Sequence, residues 1–233
     1  MTDFLSSSSF FAIALTLLIW RFAAALQKKT GSVLLHPILV SVLGIILILL
    51  ASGIPNSDYQ QGMKPFSWLM TPATVCLSVP LYEQVKVLKK NLAAICLGVL
   101  CGTLTSLLCI GGLCLLFRLD RTMTVSLLPK SVTTAIGVPV SEAMGGLGAV
   151  TVTAIIATGI LGNIFGQTAC RLLHIHDPVA QGTAFGTASH VIGTTKANET
   201  GAVQGAVSSL SLVIAGVLTA FLMPMAAGLL LQL

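Results

Sequence analysis

Of the 233 residues, 55% are hydrophobic and 8% are charged, against about a quarter charged in ordinary soluble domains. That leaves too little polar surface to solvate a globule, and the long unalternating apolar runs exclude a β-barrel. The expected fold is therefore all-α: a polytopic helical membrane protein, one transmembrane domain over residues 1–233. The formal charge of +5 is not a nucleic-acid signal, because the lysines cluster in short loops between apolar runs.

The first run, 4–26, follows Asp3 and a serine stretch rather than a basic leader region, and Arg21 falls where a cleaved leader would be apolar. It is expected to be an uncleaved span, with Arg21 snorkelling toward Lys28 and Lys29. Runs 34–52, 92–117 and 202–231 are long enough to span simply, and 147–173 equally so although it carries Asn163 and Gln167. Between them lie three apolar but interrupted segments, 66–84, 122–144 and 182–196. The total is six to eight membrane segments. Placing Lys28, Lys29, Lys86, Lys89 and Lys90 in the cytoplasm puts the N-terminus outside. Charge leaves open whether 122–144 and 182–196 cross or re-enter. Irregular backbone at membrane depth survives only inside protein or along a cavity, so function is sought in these segments.

Val79-Pro80-Leu81-Tyr82-Glu83 recurs as Val138-Pro139-Val140-Ser141-Glu142, each with an earlier proline (Pro72, Pro129), intervening threonines and a long apolar run behind it. This predicts internal, inverted repeats over 34–117 and 122–231 after the N-terminal helix 4–26, with breaks at Pro72, Pro80, Pro129 and Pro139.

The stretch SLLPKSVTTAIGVPVSE (126–142) puts Lys130 beside Pro129 and before Ser131, Thr133 and Thr134. An ionisable group at a bilayer centre costs about 2.5–3.5 kcal/mol on insertion scales, so Lys130 is expected to hold a small anion, against the bland alternative of a surface lysine. Thr71, Thr74, Ser131, Thr133 and Thr134 could add hydroxyls, although such groups also bond their own backbone carbonyls. In GTAFGTASHVIGTTKANE (182–199), Thr187, Ser189 and His190 offer further polar contacts, and His190 could carry a coupling proton. Asn163 sits mid-span between Gly162 and Gly166 and could contact a ligand or a broken helix; Glu142 is either a coupling carboxylate or a helix-end charge. Thr71 or Thr74, Ser131 or Thr133, and Ser189 or His190 are expected to line one cavity with Lys130. No nucleophile–base pair or metal-ligand spacing is present, so no enzyme activity, metal or cofactor is expected. The six cysteines are read as small apolar packing residues.

The motifs WLMTPATVCLSVPLYEQ (68–84), SLLPKSVTTAIGVPVSE and GTASHVIGTTKA (186–197), in this order, resemble the LrgB/CidB family of bacterial inner-membrane proteins over essentially the whole chain. The resemblance implies two functions. One is a carrier of small monocarboxylates such as glycolate, glycerate or pyruvate, as in the related plastid glycolate/glycerate transporter. The other is antiholin-like regulation of murein hydrolase activity and lysis. It also implies a small LrgA/CidA-type membrane partner, and the short chain suggests a homodimer in the lipid bilayer. No nucleic-acid partner is expected.

Overall fold

The computed structural model describes residues 9–31, 35, 37–69, 72, 75, 76 and 78–230, and Thr71 and Thr74 lie outside these. Among the described residues the regular structure is helical and contains no strand. The chain divides into two compact units, Met1–Cys76 and Leu77–Leu233.

The first unit contains α1 (Ser9–Thr30), α2 (Pro37–Ser52) and α3 (Asn56–Ser67). At 22 residues, α1 is about 33 Å long, enough for a hydrocarbon layer of about 30 Å. Lys28 and Lys29 form its last turn rather than a loop, where cations meet the carbonyl end favourably. Helix α1 packs on both α2 and α3. Thr16 is the polar link: its Oγ1 lies 2.7 Å from Ala12 O, to which it donates, and 2.7 Å from Tyr59 Oη. Helix α3 has no counterpart among the sequence expectations, since it is too polar for the apolar pattern. Asp58 in its first turn complements the helix dipole, and Pro65, which cannot donate to the carbonyl four residues back, lies close to the helix end at Ser67.

The second unit contains α4 (Ser78–Glu83), α5 (Val85–Leu116), α6 (Arg121–Leu127), α7 (Thr134–Ala143), α8 (Gly148–Leu172), α9 (Pro178–Thr200) and α10 (Ala202–Leu230). Helices α5, α8 and α10 are long and apolar enough to cross a membrane. Helix α5 begins at Val85, so Lys86, Lys89 and Lys90 occupy its first turns instead of a loop. Their long stems let the charges reach water from there. This end of α5 is called the lysine end below.

Helices α6 and α7 are the two arms of a hairpin. Ser141 Oγ donates to Val125 O at 3.4 Å, Leu147 N donates to Ser126 Oγ at 2.7 Å, and a Cβ on Gly137 would lie 3.4 Å from Pro129 O. These pairings run in opposite chain directions, so the segment turns back on itself around 128–133. It opens with an Asp120 cap, whose Oδ1 accepts from Met123 N at 3.3 Å. It closes at Gly145, whose φ of 86° suits a glycine past a helix end.

Helix α9 also reverses. His190 has φ 43° and ψ −139° inside an otherwise helical run. A Cβ on Gly193 would come within 2.8 Å of Phe185 O, and Phe185 shares a buried cluster with Ala197 and Cys170. In a straight helix, residues 185 and 197 would be about 18 Å apart. The arms are therefore 178–189 and 191–200, and the first is capped by Asp177, whose Oδ1 accepts from Ala180 N at 2.8 Å.

The two hairpins enter from opposite ends. The first arm of α9 runs parallel to α5: Gly98 meets Thr183 and Gly102 meets Thr187. It thus starts at the lysine end, whereas α6 follows the far end of α5. Helix α10 begins near the lysine end, where Val207 joins Leu88, Ile95 and Val99, and finishes at the far end, where Met223 and Ala227 join Leu107 and Val125. Both segments left open by charge, 122–144 and 182–196, double back as helical hairpins. The range 122–231 holds two hairpin-plus-helix modules of opposite sense, α6–α8 and α9–α10. Both V-P-x-x-E motifs lie in short helices, α4 and α7, that lead directly into long ones, α5 and α8.

Candidate functional site

The tip of the first hairpin is built by Pro129. Lacking an N–H, it cannot donate to Val125 O, and that freed carbonyl accepts from Ser141 Oγ instead. The chain then turns tightly, with Lys130 N donating to Leu127 O and Val132 N to Pro129 O, both at 3.2 Å. This brings Lys130 against mid-α5. Lys130 Nζ donates to Ser131 Oγ at 3.1 Å, and Ser131 Oγ lies 3.0 Å from Ser106 Oγ of α5. The ion pair formed among the described residues is Lys196–Glu199 at 2.9 Å; Lys130 has no carboxylate within reach there.

Lys130 and Ser131 face a cavity of about 670 Å³ between α5 and the first arm of α9. Its walls are small: Gly98 and Gly102 on one side, Ala180, Ala184 and Ala188 on the other, with Thr187 near the hairpin tip. Asn91 and Asp177 line its lysine end. Thr187 is 6% exposed and Thr103 is 4% exposed, and neither Oγ1 has a hydrogen-bond partner among the described residues. Both also line a small pocket of about 10 Å³ with Ser106 and Ser131, roughly one water in size.

Other residues expected at the site fall elsewhere. Thr133 is the half-buried N-cap of α7 and Thr134 its exposed first residue; neither lines this cavity. Ser189 packs on Gly162 and lines a separate cavity of about 270 Å³ between α8 and α9. His190 is 4% exposed and its Nε2 lies 2.9 Å from Ile155 O. Since a carbonyl only accepts, Nε2 carries the hydrogen. Asn163 Nδ2 donates to Ile192 O at 2.9 Å. Glu142 is exposed and packs beside Gly148, at the positive end of α8. Pro139 lies within α7, and Pro80 within α4. The expectation of one shared cavity thus gives way to a division: Lys130, Ser131 and Thr187 face α5, whereas Ser189 and His190 face α8, from which Asn163 reaches Ile192 of α9. Thr187 and Ser189 both precede the α9 reversal and, two residues apart on one helical arm, point to opposite sides of it. Thr103 and Ser106 escaped sequence reading. Their only signal is two hydroxyls three residues apart in a Leu-rich helix.

Residues 16–229 match the LrgB-like family. The chain belongs to that family. Among similar proteins, the "Holin-like protein CidB" of Staphylococcus aureus (strain Mu50 / ATCC 700699) is 35% identical over 212 residues, 91% of this chain and 93% of that protein. The protein of the same name from Staphylococcus epidermidis (strain ATCC 12228 / FDA PCI 1200) is 34% identical over the same length. No solved structure matches this LrgB-like chain.

Proposed function

We propose that this LrgB-like membrane protein binds a small monocarboxylate of the glycolate, glycerate or pyruvate kind at Lys130 and carries it by alternating access. The observation that carries the reading is Lys130, without a carboxylate partner among the described residues, sharing a cavity with Ser131 and Thr187 where two opposed hairpins meet. An ammonium in such apolar walls gains far more from an anion than it would in water. Re-entrant breaks near the midplane are where secondary carriers place such ligands. The test is uptake of labelled glycolate, glycerate and pyruvate into proteoliposomes, by this chain alone and together with a small LrgA/CidA-type partner. Saturable uptake abolished by Lys130→Ala supports the reading; a chain that moves none of them sinks it.

The relatives' name, holin-like protein, favours a second reading more directly: an antiholin-like membrane regulator of murein hydrolase activity and lysis. The two readings separate on Lys130. A carrier loses its function with Lys130→Ala, whereas a regulator acting through its helix faces keeps its effect on lysis in cells expressing that variant.

A further inference from the structure

His190 occupies a backbone conformation, φ 43° and ψ −139°, that residues with a Cβ rarely adopt and glycine adopts freely. Gly186 and Gly193 lie within four residues of it, yet the reversal is given to histidine. Its side chain supplies the reason. Nε2–H donates to Ile155 O of α8 at 2.9 Å, and the ring lies over Gly159, where a Cβ would come within 2.7 Å of Cε1. The next residues are tied down as well: Asn163 Nδ2 donates to Ile192 O at 2.9 Å, and Thr194 Oγ1, which donates to His190 O at 2.9 Å, lies 2.8 Å from Ser208 Oγ of α10. Three residues before the reversal, Thr187 meets Gly102 and lines the Lys130 cavity.

We infer that His190 is a positioning residue: its ring latches the α9 reversal onto α8 and so sets Thr187 opposite Lys130 and Ser131. It does not line the cavity itself. The effect on ligand affinity rests on the anion-site reading above; the effect on Thr187 does not. A glycine would ease the backbone but release the latch. Glutamine keeps a side-chain N–H able to reach Ile155 O. Alanine at Gly159 displaces the ring while leaving histidine in place.

The experiment introduces Thr187→Cys into the full chain with its native cysteines replaced by serine or alanine, and follows modification by a water-soluble thiol reagent. His190→Gly and Gly159→Ala are expected to change that rate by about tenfold, the effect of losing one hydrogen bond of ordinary strength, with the unfolding temperature close to that of the parent. His190→Gln is expected to match the parent. Binding of labelled glycolate and pyruvate, with native Thr187 retained, should weaken in the same order. An unchanged rate in His190→Gly and Gly159→Ala overturns the inference, and so does His190→Gln behaving like the glycine variant. If Lys130→Ala binds like the parent while the Thr187→Cys rates respond as expected, the anion-site reading fails and the latch stands.

Discussion

Lys130 and Thr187 face one cavity from hairpin tips that arrive from opposite ends of the second unit. Neither could be placed there by a continuous helix, because a spanning helix has its polar ends at the surfaces and hydrocarbon in its middle. Each reversal instead brings the end of one short arm and the start of the next to mid-depth, with their backbone dipoles and free polar groups. The cost of the break is met locally. Ser141 takes the carbonyl freed by Pro129, and α8 takes the polar groups at His190 and Ile192.

Replacing Lys130 tests the centre of this arrangement. Its ammonium bonds Ser131 and no carboxylate among the described residues, so Lys130→Ala leaves no unpaired negative charge behind. The fold should survive, with an unfolding temperature near that of the parent. Anion affinity should fall with the loss of a charge-assisted hydrogen bond, about 1.5–3 kcal/mol or ten- to a hundredfold. Lys130→Arg should recover only part, since a planar fork does not replace a compact charge. Equal binding by the alanine variant, measured by equilibrium dialysis with labelled ligand, would reduce Lys130 to a bystander.

The reversal of α9 makes a covalent prediction. With Cys170 replaced by alanine, the pair Phe185→Cys and Ala197→Cys should form a disulfide under mild oxidation, because both residues belong to one buried cluster. A straight helix would hold them about 18 Å apart, far beyond the Cα separation of at most about 7 Å that a disulfide allows. Failure to cross-link in membranes, with the pair Phe185→Cys and Gly166→Cys as a positive control for α8 packing, would count against the hairpin.

The break at 128–133 was legible because a proline and a lysine interrupt hydrocarbon, and each violates a strong local rule. The reversal at His190 was not. Gly, Ala, Thr and Ser in 182–196 signal close packing without saying what packs, and no proline marks the turn. The long spans were visible as apolar runs, but their ends were misplaced where lysines continue a helix, as Lys86, Lys89 and Lys90 do. At the site, Lys130 and its adjacent serine could be read from local sequence. Pairing them with Thr187 rather than with Ser189 or His190 needed the direction of the α9 arm, which depends on tertiary contacts. Asn163 reads the same way: mid-span polarity was evident, whereas its bond to Ile192 O required the reversal.

Ser141 and Thr151 offer a measure of how firmly the first hairpin is tied to α8. Both are fully buried, and Thr151 Oγ1 donates to Ser141 Oγ at 2.8 Å. Ser141→Ala removes that acceptor and also the donor to Val125 O, while Thr151 keeps Leu147 O at 3.2 Å. A double-mutant cycle with Thr151→Val should give a coupling of about 0.6 kcal/mol and below about 1.7, the range found between membrane helices. Zero coupling, read from unfolding in mixed micelles, would mean that the two hydroxyls act independently.

The glycines make opposite predictions at different places in the second unit. A Cβ on Gly182 would lie 2.6 Å from Gln204 O and 2.8 Å from Val207 Cβ, so α9 and α10 approach there almost backbone to backbone. One of the obstructing atoms is main chain and cannot swing aside, so Gly182→Ala should overpack the contact and destabilise by about 1–3 kcal/mol. At Gly112 in α5, a Cβ would meet nothing within 4 Å. There the substitution only removes backbone freedom from the unfolded chain, and Gly112→Ala should stabilise by about 0.4–1 kcal/mol. Thermal unfolding of the two variants in one detergent should therefore move to opposite sides of the parent. If Gly182→Ala unfolds at or above the parent temperature, α9 and α10 do not meet at Gly182, and the first arm of the second hairpin is misplaced.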